Sequence, residues 1–168
     1  MVILPLEGIS FNGAKVRLGA SESEVKAVLG EPERVINGSL YYFGNELRFD
    51  PGENGVEFIE FLGGADGALQ PTIYGVPAFK TGADELYALL AEKNDGGIDD
   101  HENGYSYAFL TLSVGVYRES IPESVEEMIT EAESEGFPMS AEDIAEERKK
   151  AAYWAAIGIG CAGYYGNS

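Results

Sequence analysis

Two short segments with helical spacing interrupt a chain whose apolar positions otherwise alternate as they do in β-strands. The first segment covers residues 18–32, where Ser21 and Glu24 have the spacing of a capping box. An apolar stripe that a helix would place on one face follows, and Gly30 and Pro32 then stop the pattern. This segment predicts a helix from Ser21 to the residue before Gly30.

The second segment, residues 81–94, repeats the same plan in the middle of the chain. Its apolar stripe consists of Leu86, Leu89 and Leu90. Either Thr81 or Asp84 has a side chain suited to cap the helix, and the breaker run that starts at Asn94 ends it. The sequence therefore predicts two short helices with similar surroundings.

After each helix the pattern changes to period two, which predicts antiparallel strands. Asn37-Gly38 between two apolar runs is the strongest hairpin signal, because both residues tolerate positive φ. Residues 105–118 are predicted as one long central strand, since apolar and small residues occupy both of its faces. The predicted strands cover residues 1–17, 34–36, 40–43, 46–50, 56–62, 72–74, 98–101 and 105–118.

These elements predict an α+β fold in which two helix-plus-antiparallel-meander units share a sheet core. An acidic helical insertion follows the second unit and precedes the last element. The last element is predicted as a strand, because the glycine density near the end of the chain disfavours a helix. A glycine-rich, flexible connector is expected between the halves. The predicted organisation is a single domain, 1–168, with pseudo-repeat halves 1–64 and 68–118, the insertion 119–150 and the strand 153–165.

Composition limits the classes of partner. The chain has 168 residues, 45% of them hydrophobic, and a net charge of −18, so the charge is expected on a folded surface. Such a charge repels nucleic acid and anionic membranes and attracts cationic proteins, polyamines or metal ions. One cysteine, Cys161, excludes an internal disulfide. Without a signal-like or membrane-spanning apolar segment, we expect a cytoplasmic protein.

The first helical segment carries a family resemblance. Residues 18–32 read LGASESEVKAVLGEP, which resembles the LGxSxxEVxxxLGxP helix opening of the BamE-like and β-lactamase-inhibitor-like group. The runs 41–50, 56–61 and 79–90 and the closing GIGCAGYY of 158–165 are similar to a broad set of uncharacterised bacterial proteins. The resemblance implies a helix before an antiparallel sheet, possible duplication of that unit, and protein binding without a catalytic residue.

Candidate catalytic and metal-binding residues are few. The only histidine, His101, lies in the polar run 99–103, which could be drawn as a metal site or, with Asp99 and Asp100, as the acid–base group of a hydrolase. No second histidine completes a ligand set, so a solvated hairpin loop is the simpler interpretation. Cys161 lies between small residues with no neighbouring charge that would favour a thiolate. We expect neither a cofactor nor enzymatic activity.

The insertion concentrates charge of one sign. From Glu119 to Glu147 there are eleven acidic residues and no basic one, whereas a helix that is merely soluble usually mixes signs. The alternatives are a solvated acidic surface and a surface that attracts a basic protein. Tyrosines of the sheet could anchor such a partner or pack in the core. The predicted partner-binding residues are Glu123, Glu126, Glu127, Glu131, Glu133, Tyr41, Tyr42, Tyr105 and Tyr107.

Together these features predict a non-enzymatic protein-binding module. Its most concrete form is an immunity protein that neutralises a cationic toxin. The alternative is a structural or assembly scaffold module. A basic protein is the expected partner, neither nucleic acid nor a membrane is expected, and the oligomeric state stays open.

Overall fold

The computed structural model describes residues 1–166, which form four α-helices and thirteen strands in two sheets. The predicted α+β fold is confirmed. The helices are α1 (Glu22–Leu29), α2 (Ala83–Lys93), α3 (Pro122–Ser134) and α4 (Ala141–Ala152). The strands are β1 (Val2–Leu4), β2 (Gly8–Phe11), β3 (Ala14–Arg17), β4 (Arg34–Ile36), β5 (Ser39–Tyr42), β6 (Leu47–Gly52), β7 (Gly55–Phe61), β8 (Thr72–Ile73), β9 (Val76–Pro77), β10 (Ile98–Asp99), β11 (Ser106–Phe109), β12 (Val114–Tyr117) and β13 (Ala156–Gly160).

The smaller sheet has the strand order β3-β2-β1-β8-β9, and only the β1–β8 pair in it is parallel. The prediction of one strand over residues 1–17 is wrong, because these residues form three. The chain reverses after Leu4 and again at Asn12-Gly13, where φ is 48° and 81°. Asn and Gly tolerate such positive φ values, so this pair closes the β2–β3 hairpin.

The larger sheet has the strand order β10-β11-β12-β13-β7-β6-β5-β4 and is antiparallel throughout. The meander β4–β7 follows α1, and the strands β10–β12 follow α2. The last strand, β13, lies between β7 and β12, and all five of its residues are buried. The final strand thus joins the two meanders into one sheet, while the division into halves 1–64 and 68–118 stays a prediction.

Two further predicted strand boundaries are wrong. Residues 105–118 form two strands, β11 and β12, joined by a turn in which Ser113 has a φ of 52°. The Asn94 side chain, at the end of α2, accepts the backbone N–H groups of Thr111 and Leu112 at 3.0 and 3.2 Å. These two backbone donors of the turn therefore find their acceptor on another element. The second wrong boundary is that of the C-terminal strand. The strand predicted over 153–165 covers only Ala156–Gly160, and a 3₁₀ turn at Tyr164–Gly166 follows it.

The buried face of the larger sheet, called the inner face here, forms the centre of the core. Strand pairing places one apolar row across seven strands, namely Phe109, Val114, Ile159, Ile59, Phe49 and Leu40, with Ile98 at its end. Val25 of α1, Leu86 of α2 and Ile9 of the smaller sheet belong to the same hydrophobic cluster. Burying each such side chain contributes about 2 kcal/mol.

The caps of the two predicted helices differ. The Ser21 hydroxyl accepts the Glu24 backbone N–H at 3.2 Å, and the Glu24 carboxylate accepts the Ser21 N–H at 2.7 Å, which confirms the capping box. The prediction that Thr81 or Asp84 caps α2 is wrong. The N-cap is Gly82, which has no side chain to accept a backbone N–H of the first turn. The hydroxyl of Thr81 instead donates to the Pro77 carbonyl at 2.6 Å.

The glycine-rich connector between the halves is held by hydrogen bonds, contrary to the expectation of a flexible link. The Glu46 carboxylate accepts the backbone N–H groups of Ala68 and Leu69 at 2.9 and 2.7 Å. The Gln70 amide donates to the Gly64 carbonyl at 3.0 Å.

Within residues 1–166, no helix has both the length and the apolar character needed to cross a membrane.

Candidate partner-binding surfaces

The acidic segment folds as a helical hairpin of α3 and α4. Pro122 occupies the first turn of α3, and Ser140 caps α4 by accepting the Asp143 backbone N–H at 3.1 Å. The turn between them follows Gly136, whose φ of 80° ends α3. Local sequence signals therefore set both helix boundaries.

Arg118 attaches this hairpin to the rest of the molecule. Its side chain is buried, its Nε donates to the Gly104 carbonyl at 2.9 Å, and its Nη1 donates to the Ala151 carbonyl at 2.8 Å. The second bond places a cation at the C-terminal end of α4, where the helix dipole favours it. The Tyr105 hydroxyl adds a bond of 2.9 Å to Ser124 in the first turn of α3.

An acidic ridge, defined as Glu123, Glu127 and Glu131, runs along the exposed face of α3. The three residues are four positions apart, so they share one side of the helix, and all three are exposed. No ion pair within residues 1–166 involves any of them. Three like charges spaced in this way repel one another, and a cationic partner would relieve that repulsion.

The other two predicted glutamates differ from the ridge. The absence of basic residues from 119 to 147 suggests an insertion without ion pairs. In the structure, however, Glu126 accepts a hydrogen bond from Arg148 of α4 at 3.1 Å. Glu147 likewise pairs with Lys150 at 2.9 Å. Glu133 is exposed, but helix geometry turns it away from the middle of the ridge.

The tip of the hairpin presents an aromatic ring that the sequence indicates only as part of a stop signal. The backbone N–H of Phe137 donates to the Ala132 carbonyl at 3.0 Å, and that of Gly136 donates to the Glu133 carbonyl at 3.2 Å, which is a Schellman motif. The hydrophobic residue at this position of the motif usually packs back on its helix. The side chain of Phe137 is instead 82% exposed.

The tyrosines predicted as anchors are largely structural. Tyr42 is only 4% exposed and donates to the Gly30 carbonyl at 2.9 Å, so its assignment as a partner-binding residue is wrong. Tyr105 bonds to α3 as described, and the Tyr107 ring lies on the inner face in edge contact with Tyr87 and Trp154. Tyr41 is half-buried on the opposite face of the sheet.

That opposite face, called the outer face, carries a half-buried charge network. Arg48 lies 2.9 Å from the Asp50 carboxylate and 3.2 Å from that of Glu60, and its guanidinium lies over the Phe58 ring. Burial raises the pKa of Glu60 above its ordinary value, although the charge of Arg48 opposes the shift. Two carboxylates thus share one guanidinium.

The end of the described chain folds back over this face. The Tyr164 ring stacks on Phe58 with centroids 4.7 Å apart, and the Tyr165 ring contacts both in edge orientation. A Cβ at Gly115 would collide with Tyr165, and one at Gly158 would collide with Phe58. The glycines at these two positions thus make room for the aromatic rings.

The other candidate chemistry stays dispersed. Nε2 of His101 lies 2.9 Å from the Asp99 carboxylate in an exposed loop, where Asp100 accepts the Gly104 backbone N–H at 2.7 Å. Cys161 is half-buried beyond β13. In the described part of the chain, no group of three His, Cys, Asp or Glu residues is arranged to hold a metal ion.

Comparison with known proteins gives no match to any family model, curated protein or solved structure. The resemblance to the BamE-like and β-lactamase-inhibitor-like group therefore stays a prediction from short motifs. The α3–α4 hairpin combines exposed charge with an exposed aromatic ring.

Proposed function

We propose that the chain is a non-enzymatic protein-binding module that recognises a basic protein through the α3–α4 hairpin. The observation that carries the proposal is the acidic ridge of Glu123, Glu127 and Glu131 together with the exposed ring of Phe137 on the same hairpin. The most concrete form of this function is an immunity protein that neutralises a cationic toxin. The sole cysteine, Cys161, supports a reducing, cytoplasmic location.

Each part of the surface supplies a different component of binding. The carboxylates of the ridge act over a long range, so they accelerate encounter with a cationic surface and disfavour acidic competitors. A few side chains buried in pockets near the centre of an interface carry most of its binding energy, and aromatic residues are common among them. A ridge with an apolar tip therefore suits a basic partner that has an apolar pocket inside its cationic surface.

The attachment of the hairpin also favours recognition. Arg118 donates to the Ala151 carbonyl of α4 at 2.8 Å, and the Tyr105 hydroxyl bonds to Ser124 of α3 at 2.9 Å. Glu126 and Arg148 join its two helices. A surface that is already ordered loses less conformational entropy on binding than a flexible one.

The test is capture of partners by the immobilised chain at low and high salt, with identification by mass spectrometry. We expect a basic protein that is retained at low salt and released at high salt. The triple variant Glu123→Lys, Glu127→Lys, Glu131→Lys should abolish its capture. The matched control reverses three exposed acidic residues elsewhere, with the same change in net charge, at Glu53, Glu92 and Asp95.

Retention of the basic protein by the control but not by the ridge variant supports the proposal. Equal loss with both variants contradicts it, because net charge and not the ridge would then determine binding. Phe137→Ser should speed dissociation with little change in the association rate, since the ring acts at short range.

A purified captured protein separates the immunity function from the scaffold alternative. An immunity protein should inhibit the activity of its partner in an equimolar mixture. A scaffold module should bind without inhibition. The ridge variant should fail to inhibit at concentrations where the wild type does.

A further inference from the structure

The outer face of the larger sheet contains a cavity of about 460 Å³ that the hairpin does not share. Strand pairing places Asp99, Ala108, Gly115, Gly158 and Glu60 in one row across five neighbouring strands. Four strand spacings separate the two acidic ends of this row, a distance of roughly 19 Å between backbones. Glu60 and Asp99 line the cavity at opposite ends of this row, and the rings of Phe58 and Tyr165 lie over the glycines between them.

At the end near β7, negative charge exceeds positive charge. Glu60 and Asp50 share the single guanidinium of Arg48, and the Glu60 side chain keeps 20% of its surface accessible. Burial raises the pKa of this carboxyl, so an additional positive charge beside it would favour its ionised form. This end of the cavity lacks one cation for neutrality.

At the end near β10, the carboxylates of Asp99 and Glu102 line the cavity. His101 lies 2.9 Å from Asp99, and its side chain is 82% exposed, so a ligand can displace it at little cost. The two acidic ends belong to different hairpins of the same sheet. The sheet therefore fixes their separation.

Aromatic and small residues form the surface between the ends. Tyr117, Tyr164, Tyr165 and Phe58 line the cavity, and Tyr117 is 44% exposed. The faces of aromatic rings attract ammonium groups, and their surfaces also pack against methylene chains. A ligand with charged ends and an aliphatic middle matches this sequence of surfaces.

We infer that this cavity binds a linear organic cation with ammonium groups on an aliphatic chain, one group at Glu60 and another at Asp99 and Glu102. A free polyamine and a lysine-rich protein segment both carry this chemistry. The site is independent of the hairpin, so it is tested separately from the proposed function. The negative charge of the whole chain, −18, raises the local concentration of either ligand.

The test is calorimetric titration of the full chain with spermine, spermidine and putrescine at about 0.15 M ionic strength. We expect saturable binding of one molecule per chain, with affinity that increases with the length of the amine. The variant Asp99→Asn, Glu102→Gln should weaken spermine binding about fivefold. Glu53→Gln, Glu92→Gln makes the same change in net charge at exposed residues outside both the cavity and the hairpin, and it should leave the affinity unchanged.

Tyr117→Ala provides a second variant that changes no charge, and it should weaken spermine binding by removing an aromatic wall. Equal weakening by the cavity variant and the Glu53→Gln, Glu92→Gln control, or the absence of saturable binding, would overturn the inference. A peptide with two lysines separated by glycines distinguishes the sources. Tighter competition by this peptide than by spermidine assigns the cavity to a protein segment, and the reverse assigns it to a free polyamine.

Discussion

The guanidinium of Arg118 lies over the indole ring of Trp154, with its central carbon 5.1 Å from the ring centre. The indole Nε1 in turn donates to the Ala83 carbonyl at the start of α2, at 3.0 Å. Both side chains are buried. This pair therefore joins the acidic hairpin to the core of the protein, since Arg118 also bonds to the last turn of α4.

Arg118→Ala should destabilise the protein by about 3 kcal/mol. The substitution removes two hydrogen bonds from a charged donor and leaves the buried carbonyls of Gly104 and Ala151 without these partners. Urea unfolding followed by the fluorescence of Trp154, the only tryptophan, measures the change. Arg148→Ala is the control, because the exposed Arg148–Glu126 pair should contribute less than about 1 kcal/mol. Equal effects would contradict the anchoring role.

Tyr42→Phe should lower the free energy of unfolding by about 1 kcal/mol. The hydroxyl of Tyr42 donates to the carbonyl of Gly30, the residue that ends α1, and the phenylalanine leaves that carbonyl without its partner. Tyr41→Phe serves as the control in the same denaturation experiment, with an expected change within about 0.5 kcal/mol. A larger effect at Tyr41 would show that the outer-face hydroxyl carries the stability.

Gly115→Ala should destabilise the protein by about 1 to 2 kcal/mol, because the new methyl group collides with the Tyr165 ring. In a Tyr165→Ala background the same substitution should cost much less, and a double-mutant cycle measures the difference. Gly82→Ala is the control, since a methyl group added at that position would meet nothing within 4 Å. A cost of Gly115→Ala that persists without Tyr165 would place the strain elsewhere.

Glu60 should make stability depend on pH in the acidic range. Burial raises its pKa in the folded state, so the folded protein keeps this proton at pH values where the unfolded chain has lost it. Stability contributed by this group therefore falls as the pH rises from about 4.3, the ordinary glutamate value, through the raised value. The side chain of Glu60→Gln cannot titrate. The free energy of unfolding of the wild type should therefore exceed that of the variant by the largest margin near pH 4.3, at about the ordinary glutamate pKa.

Denaturation curves of both proteins across this range provide the measurement. A wild-type advantage that grows with pH would mean that the attraction of Arg48 outweighs burial. Spermine added at a pH above the raised pKa of Glu60 should restore part of the lost stability if it binds beside Glu60.

Local signals in the sequence predict the elements that depend on near neighbours. The reciprocal bonds of Ser21 and Glu24, the turn at Asn37-Gly38 and the cap at Ser140 form between residues at most three positions apart. The physical preference of each is therefore visible in the sequence alone. The α+β class follows from these elements and their periodicity.

Some errors occur where distant residues replace a local signal, whereas the missed turn at Asn12-Gly13 carries a signal of its own. The turn between β11 and β12 has no glycine or proline, and Asn94 satisfies its backbone from another element. The sequence around Phe137 predicts only the end of a helix, and the exposure of the ring follows from the way the hairpin projects. The identity of a residue does not state which other element it will meet.

The helices, the Asn-Gly turns and the excess of negative charge can be predicted from the order of residues, whereas the strands predicted over 1–17, 105–118 and 153–165 have other bounds in the structure. Three-dimensional packing was needed to show that β13 joins two meanders, that Arg148 neutralises Glu126, and that Asp99 and Glu60 mark the ends of one cavity. The difference arises because secondary structure depends on bonds between neighbouring backbone groups, whereas surfaces depend on contacts between residues far apart in the chain. Function therefore has to be tested at the hairpin and at the outer-face cavity.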